Sequence, residues 1–185
     1  MKKRIILVGK AASGKDYLRK LLEDRGYVYA ISYTSRPPRT GELFGKDYNF
    51  MSREQFQEMI DNNEFYEYVE FNGWFYGTSK AQMDGDADIF IMTPSGLAHL
   101  KEKDRNESLI IYLDMPMNVR YERLSHRGDV DKVDRRIAAD EEDFKDFKDF
   151  DVRIFNPGYS AESLSYLSYF FNQKSLMGLA ANKRM

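Results

Sequence analysis

Cysteine is absent from the 185 residues, which removes disulfides, thiol nucleophiles and thiolate metal ligands from consideration. Histidine occurs only at His99 and His126, too sparsely for a zinc site, and both read as structural or surface residues. Excess charge is lacking too. With 28 basic and 30 acidic side chains the formal net charge is −2, so no bulk positive field holds nucleic acid or an anionic membrane. No apolar run exceeds strand length, and the opening MKKRIILVGK loses its hydrophobic character at Gly9 and Lys10. The expectation is a cytoplasmic chain without signal peptide or membrane span, in which phosphate binding is local.

What the chain does contain is enough apolar residues, 42%, to build one compact domain. Arg4 to Val8 reads as a strand buried on both faces, followed by a glycine-bearing loop and a helix carrying Leu18, Leu21 and Leu22. Arg25-Gly26 closes that helix, and Val28 to Tyr33 reads as a second strand. Ser52-Arg53-Glu54-Gln55 is a capping box opening a helix with Phe56, Met59 and Ile60 on one face. Asn72-Gly73 between aromatic flanks predicts a hairpin over 64–76. From Ile89 an α/β alternation resumes: strand Ile89 to Met92, a helix from Pro94, strand Leu109 to Leu113, helix Met117 to Arg127, a second long helix, strand Val152 to Phe155 and a final helix. Charged, aromatic-free 128–134 suits either a mobile lid or a solvated turn, and Ala139 to Phe144 reads as an exposed helix face. Asp84, Asp86 and Asp88 read as a solvated turn rather than a metal cluster.

Gly9-Lys10-Ala11-Ala12-Ser13-Gly14-Lys15 matches G-x-x-x-x-G-K between a strand and a helix N-terminus, where a phosphate-binding loop belongs. Small residues such as Ala12, Ser13 and Gly14 let backbone N–H groups face phosphate oxygens, and Lys15 would reach the transferring phosphoryl. Asp16 stands where such loops carry a Ser or Thr ligand to magnesium. Its carboxylate either holds Mg²⁺ or acts as a dipole partner of the helix N-terminus. Arg36 and Arg39, three apart around two prolines, present guanidinium forks suited to a phosphate dianion; alone, such a stretch also suits a surface loop or a polyproline ligand.

The run Ser32 to Glu42, continued by Gly45-Lys46-Asp47-Tyr48-Asn49-Phe50, resembles guanylate kinase, with further likeness at Asn63 to Tyr68 and Trp74 to Thr78. The similarity is densest over residues 4–80 and stays in register to about 157. It implies a three-layer α/β fold of the P-loop NTPase type: a parallel-sheet core (1–32, 84–126, 138–185), a small antiparallel acceptor-binding insertion (33–83) and a short lid (127–137). It implies ATP-dependent phosphorylation of GMP or dGMP, within purine nucleotide metabolism, with Mg²⁺ as cofactor and a monomer or homodimer as the working unit. Arg36 and Arg39 would clamp the acceptor phosphate, helped by the hydroxyls of Tyr48 and Tyr76. Glu67 would accept the N1 and N2 protons of guanine, with Ser32, Gly77 and Thr78 completing the base site, although Glu67 alone also fits a solvated strand position. Arg127 and Arg136, or its neighbour Arg135, would close over the phosphates.

Two departures from the family pattern bear on chemistry. The strand-end D-x-D becomes Ile91-Met92-Thr93, and the stretch from Arg127 to Arg136 is about two residues short. They leave open a monophosphate kinase of other or broader base choice, and a catalytically silent binding module of the same fold.

Overall fold

The computed structural model describes residues 4–126 and 133–155. In chain order the elements are β1 (Arg4–Val8), α1 (Lys15–Glu23), β2 (Tyr33–Thr34), β3 (Asn49–Phe50), α2 (Arg53–Asp61), β4 (Phe65–Phe71), β5 (Trp74–Ser79) and α3 (Lys80–Asp84). They continue with β6 (Ile89–Ile91), α4 (Pro94–Leu97), α5 (Glu102–Asn106), β7 (Ser108–Leu113), α6 (Met117–Ser125), α7 (Val133–Asp143) and β8 (Val152–Ile154).

Four strands in the order β6-β1-β7-β8, all parallel, form the main sheet. Each is a short apolar run whose alternate residues feed opposite faces. Ile5 and Leu7 of β1 pack with Leu109, Ile111 and Leu113 of β7 against Leu18 and Leu22 of α1. Ile6 and Val8 pack with Ile110 and Tyr112 on the other face, against Met83 of α3, Leu97 of α4 and Phe144 just after α7. Helices on both faces make three layers, the arrangement that lets a parallel sheet bury both sides.

The second sheet, β3-β2-β5-β4, is mixed rather than purely antiparallel, because β2 and β3 run parallel. Asn72-Gly73 turns β4 into β5 as its sequence requires, both residues having positive φ. The capping box at Ser52 forms in full, and α2 lays Phe56 against Phe65 and Phe75, with ring centroids at 4.3 and 5.2 Å.

Three expectations change. The stretch from Val28 to Tyr33 makes one parallel bridge, Tyr29 to Ile89, at the edge of the main sheet, and then Tyr33 joins the small one. A segment that passes from one sheet to another cannot ladder fully with either. A second capping box, Ser79 with Gln82, starts the unexpected helix α3. The stretch expected as an exposed face at Ala139 to Phe144 is only partly so: Glu141 and Glu142 are exposed, whereas Asp140 is 3% exposed and Phe144, just past α7, 8%. The stretch 127–132, with Arg127 and Gly128, and the final helix lie outside the described residues.

Candidate active site

The phosphate loop leaves β1 at Val8. A side chain at Gly9 would meet the Leu113 carbonyl at 2.7 Å, so only glycine lets the loop pass this close to β7. Left-handed backbone at Ala12 and Gly14 winds the loop into the first turn of α1, where Lys15 begins the helix. The Lys15 ammonium donates to the carbonyls of Gly9 and Lys10, which holds it over the loop. Asp16, in that first turn, has a side chain 65% exposed and lies 3.8 Å from the Arg19 guanidinium.

Residues that the sequence analysis did not single out anchor this loop. Asp140 of α7 accepts the backbone N–H of Ala11 at 2.8 Å and pairs with Arg120 of α6 at 3.2 Å, both through Oδ2. Arg120, 1% exposed, also donates to Glu141 at 2.6 Å, and Glu141 in turn takes Lys10. Arg123 donates to the Ala12 carbonyl at 3.0 Å. No local pattern could have shown these pairs, since they join helices whose mutual register only the fold defines.

At the other end of the cleft, Arg36 is buried, and its guanidinium takes Glu42 at 2.9 and 3.0 Å and the Pro37 carbonyl at 2.7 Å. It also lies over the rings of Tyr48 and Phe50. Arg39 donates to the same Glu42 through its backbone, at 2.8 Å, and its guanidinium, at 3.3 Å. The R-P-P-R stretch is therefore part of a cleft wall, not a loose surface loop. Burial, with the negative Asp16 and the phenols of Tyr29 and Tyr76, pushes the Tyr48 phenol well up, keeping it a proton donor. Arg19, 2% exposed, braces this end: it pairs with Asp47 at 3.4 Å and Glu23 at 2.8 Å and lies over Tyr29.

Glu67 is buried, contrary to the solvated alternative, at 5% exposure. It sits just after a register shift in β4 and pairs with Thr78 of β5. Burial pushes its carboxyl up to about 7, against the pull of Thr78 and the more distant His99. No cation pairs with it among the described residues. Val69 and Phe71, two and four residues on, share its side of the strand and line the cleft with it. Gly96 of α4 backs the carboxylate so closely that a Cβ there would meet Oε2 at 2.9 Å. Thr93 caps α4, its hydroxyl accepting the Gly96 N–H at 3.0 Å.

One cleft of about 490 Å³ joins these parts. On one side it is lined by Gly9, Ala12, Ser13, Gly14, Lys15 and Asp16, and on the other by Ser32, Arg36, Arg39, Tyr48, Glu67, Tyr76 and Gly77. Arg136 of α7 and Ile91 of β6 also reach it. Thr78 lies behind the wall, buried beside Glu67. Arg135 does not line the cleft, which separates it from Arg136. Both histidines are exposed, each with Nδ1 on a carbonyl of its own helical segment. No trio of metal-ligating side chains occurs among the described residues, the acidic run at 84–88 included.

Comparison with known proteins agrees with this geometry. A solved guanylate kinase from Anaplasma phagocytophilum has the same fold, with TM-score 0.67 and 24% identity over 91% of this chain and 85% of that one. In sequence, guanylate kinase from Aster yellows witches'-broom phytoplasma is 34% identical over 163 residues, 82% of this chain and 77% of the relative. That of Wolinella succinogenes is 35% identical over 162 residues, 82% of this chain and 75% of the relative. The guanylate kinase family model matches residues 1–173, a span that takes in the loop, the cleft and the buried carboxylate: this chain belongs to the guanylate kinase family.

Proposed function

We propose that this protein transfers the γ-phosphoryl group of ATP to GMP, and accepts dGMP as well. The observation that carries the base choice is Glu67, a buried carboxylate without a cation at the opposite end of the cleft from the phosphate loop. Guanine offers two donors, at N1 and N2, to one carboxylate. Adenine offers an acceptor at N1, which would leave Glu67 buried and unsatisfied. Ser32 and Gly77 complete the base pocket, and Thr78 supports Glu67 from behind its wall.

Arg36 and Arg39 bind the acceptor phosphate, with Tyr48 and Tyr76 as neutral donors. On the donor side, the loop from Gly9 to Asp16 cradles the ATP phosphates, and Lys15 turns from its loop carbonyls to the transferring group. Arg136, and Arg127 outside the described residues, supply further positive charge. Two polyanions held end to end repel each other, so the cations must neutralise both while aligning them. No general base is required, because the attacking oxygen belongs to a phosphate.

We assign magnesium to Asp16. Asp16 is the exposed carboxylate beside Lys15, while Ile91 offers no oxygen and the Thr93 hydroxyl is committed to Gly96. One carboxylate completed by phosphate oxygens and water is a donor set that Mg²⁺ accepts. Bound there, the ion would neutralise charge on the ATP phosphates. We assign residues 33–83 to the acceptor-binding insertion, and the lid expected at 127–137 lies partly outside the described residues.

The test is ADP release with ATP, Mg²⁺ and each of GMP, dGMP, AMP, dTMP, UMP and CMP, with Glu67→Ala alongside. Guanine-selective turnover lost in the variant is expected. Turnover with another base would assign a broader monophosphate kinase, and GMP binding without turnover a silent module.

A further inference from the structure

The phosphate loop is tied to helices α6 and α7 by a buried ionic network that the phosphoryl-transfer chemistry does not itself require. Asp140 Oδ2 accepts the Ala11 N–H at 2.8 Å and faces Arg120 Nη1 at 3.2 Å. Both side chains are nearly inaccessible, at 3% and 1% exposure. Burying an ion pair for stability alone is a poor bargain, since apolar replacements of similar volume often do as well or better. A carboxylate that also grips a loop amide has a different value, because it fixes backbone geometry. Ala11 precedes the left-handed residue Ala12, so the N–H that Asp140 holds lies at the point where the loop begins its turn toward the phosphate site. Arg123 holds the Ala12 carbonyl at 3.0 Å, so consecutive residues of the loop are fixed by side chains of α6 and α7.

We infer that Asp140 is a positioning residue for ATP binding: it holds the phosphate loop in its wound form through Ala11, and Arg120 fixes the carboxylate in place. This rests on the proposed use of the loop as the ATP site. Arg136 lies one helical turn before Asp140 and lines the same cleft, so the contact that sets the loop also sets the helix bearing that arginine.

Two double variants isolate the amide contact. In Arg120→Met/Asp140→Asn the buried charges are removed but an oxygen remains for Ala11. In Arg120→Met/Asp140→Ala the charges are removed and so is the acceptor. Calorimetry of ATP and of GMP binding, which needs no turnover, is expected to show ATP held roughly tenfold more weakly by the Ala variant than by the Asn variant, the cost of one unpaired buried amide. GMP affinity should be equal in the two. Equal ATP affinities would overturn the inference, as would a parallel loss for GMP, which marks a general packing defect. Should the Ala variant not fold, hydrogen exchange in the unaltered chain decides: an Ala11 amide protected without nucleotide supports the contact, and one exchanging at the free rate refutes it. A parent that binds ATP with this dependence yet phosphorylates no GMP would leave the inference standing and reject the proposed function instead.

Discussion

At the end of the cleft proposed for ATP the wall is mostly backbone of Gly9 to Lys15, whereas at the end proposed for GMP it is side chains carried by the small sheet and its loops. The first arrangement depends on chain path: a glycine that clears Leu113, left-handed turns at Ala12 and Gly14, and anchors from α6 and α7. The second depends on charge held in place by opposite charge, with Arg36 and Arg39 sharing Glu42, and Arg19 sharing Asp47 and Glu23. A backbone site tolerates replacement of most of its side chains. A side-chain site does not, and its specificity rests on individual atoms.

That contrast breaks first at the one donor-side position where a side chain matters. Lys15→Met should lower kcat by roughly 10²- to 10³-fold, as loss of a preorganised cation does, with thermal unfolding little changed. Single-turnover kinetics separates that loss from slower binding. A deficit under tenfold would mean the backbone suffices there.

Glu67→Gln tests the acceptor end and should cost up to about 10⁴-fold in kcat/KM for GMP. The same residue sets a pH dependence. Its folded carboxyl, near 7, stands above the ordinary value of 4.5, so it favours the folded state fully below the ordinary value. That contribution is lost as pH rises through 7. Ligand-free Glu67→Gln should therefore be more stable than the parent at pH 8, by roughly 3 kcal/mol at about 1.4 kcal/mol per pKa unit, with the gap vanishing near pH 4. The KM for GMP should rise as pH falls below 7, while that for ATP changes less.

Glu42→Ala removes the partner shared by two arginines and should raise the KM for GMP about tenfold, near the worth of one charge-assisted hydrogen bond. A lower KM would recast Glu42 as a competitor of the phosphate. Smallest is Asp16→Ser, which should shift the Mg²⁺ concentration for half-maximal rate a few-fold and leave folding alone, since the side chain is 65% exposed. An unchanged magnesium titration would remove Asp16 from the metal role.

The same contrast explains how much the sequence disclosed. The strands of the parallel sheet, the capping box at Ser52 and the Asn72-Gly73 turn were legible because each is dictated by neighbours in the chain. So was the phosphate loop, whose spacing is local. The acceptor residues were legible through family likeness, since nothing about Glu67 by itself says whether it is buried; its burial depends on Thr78 and Gly96 arriving from other elements. The network of Arg120 and Asp140 was not legible at all. Asp140 sits in a run of acidic residues that looks solvent-facing until α7 is packed against the loop. The strand expected at Val28 to Tyr33 failed for a related reason: its apolar pattern suits either sheet, and the chain divides it between the two.

The bare backbone of Gly96 against Glu67 has one more consequence. A single methyl group at position 96 of α4 would press on a carboxylate borne by the small sheet, acting as a wedge between that helix and the sheet. That glycine is thus a seat on which the two parts bear, and the place where the smallest inherited change could alter which base is read.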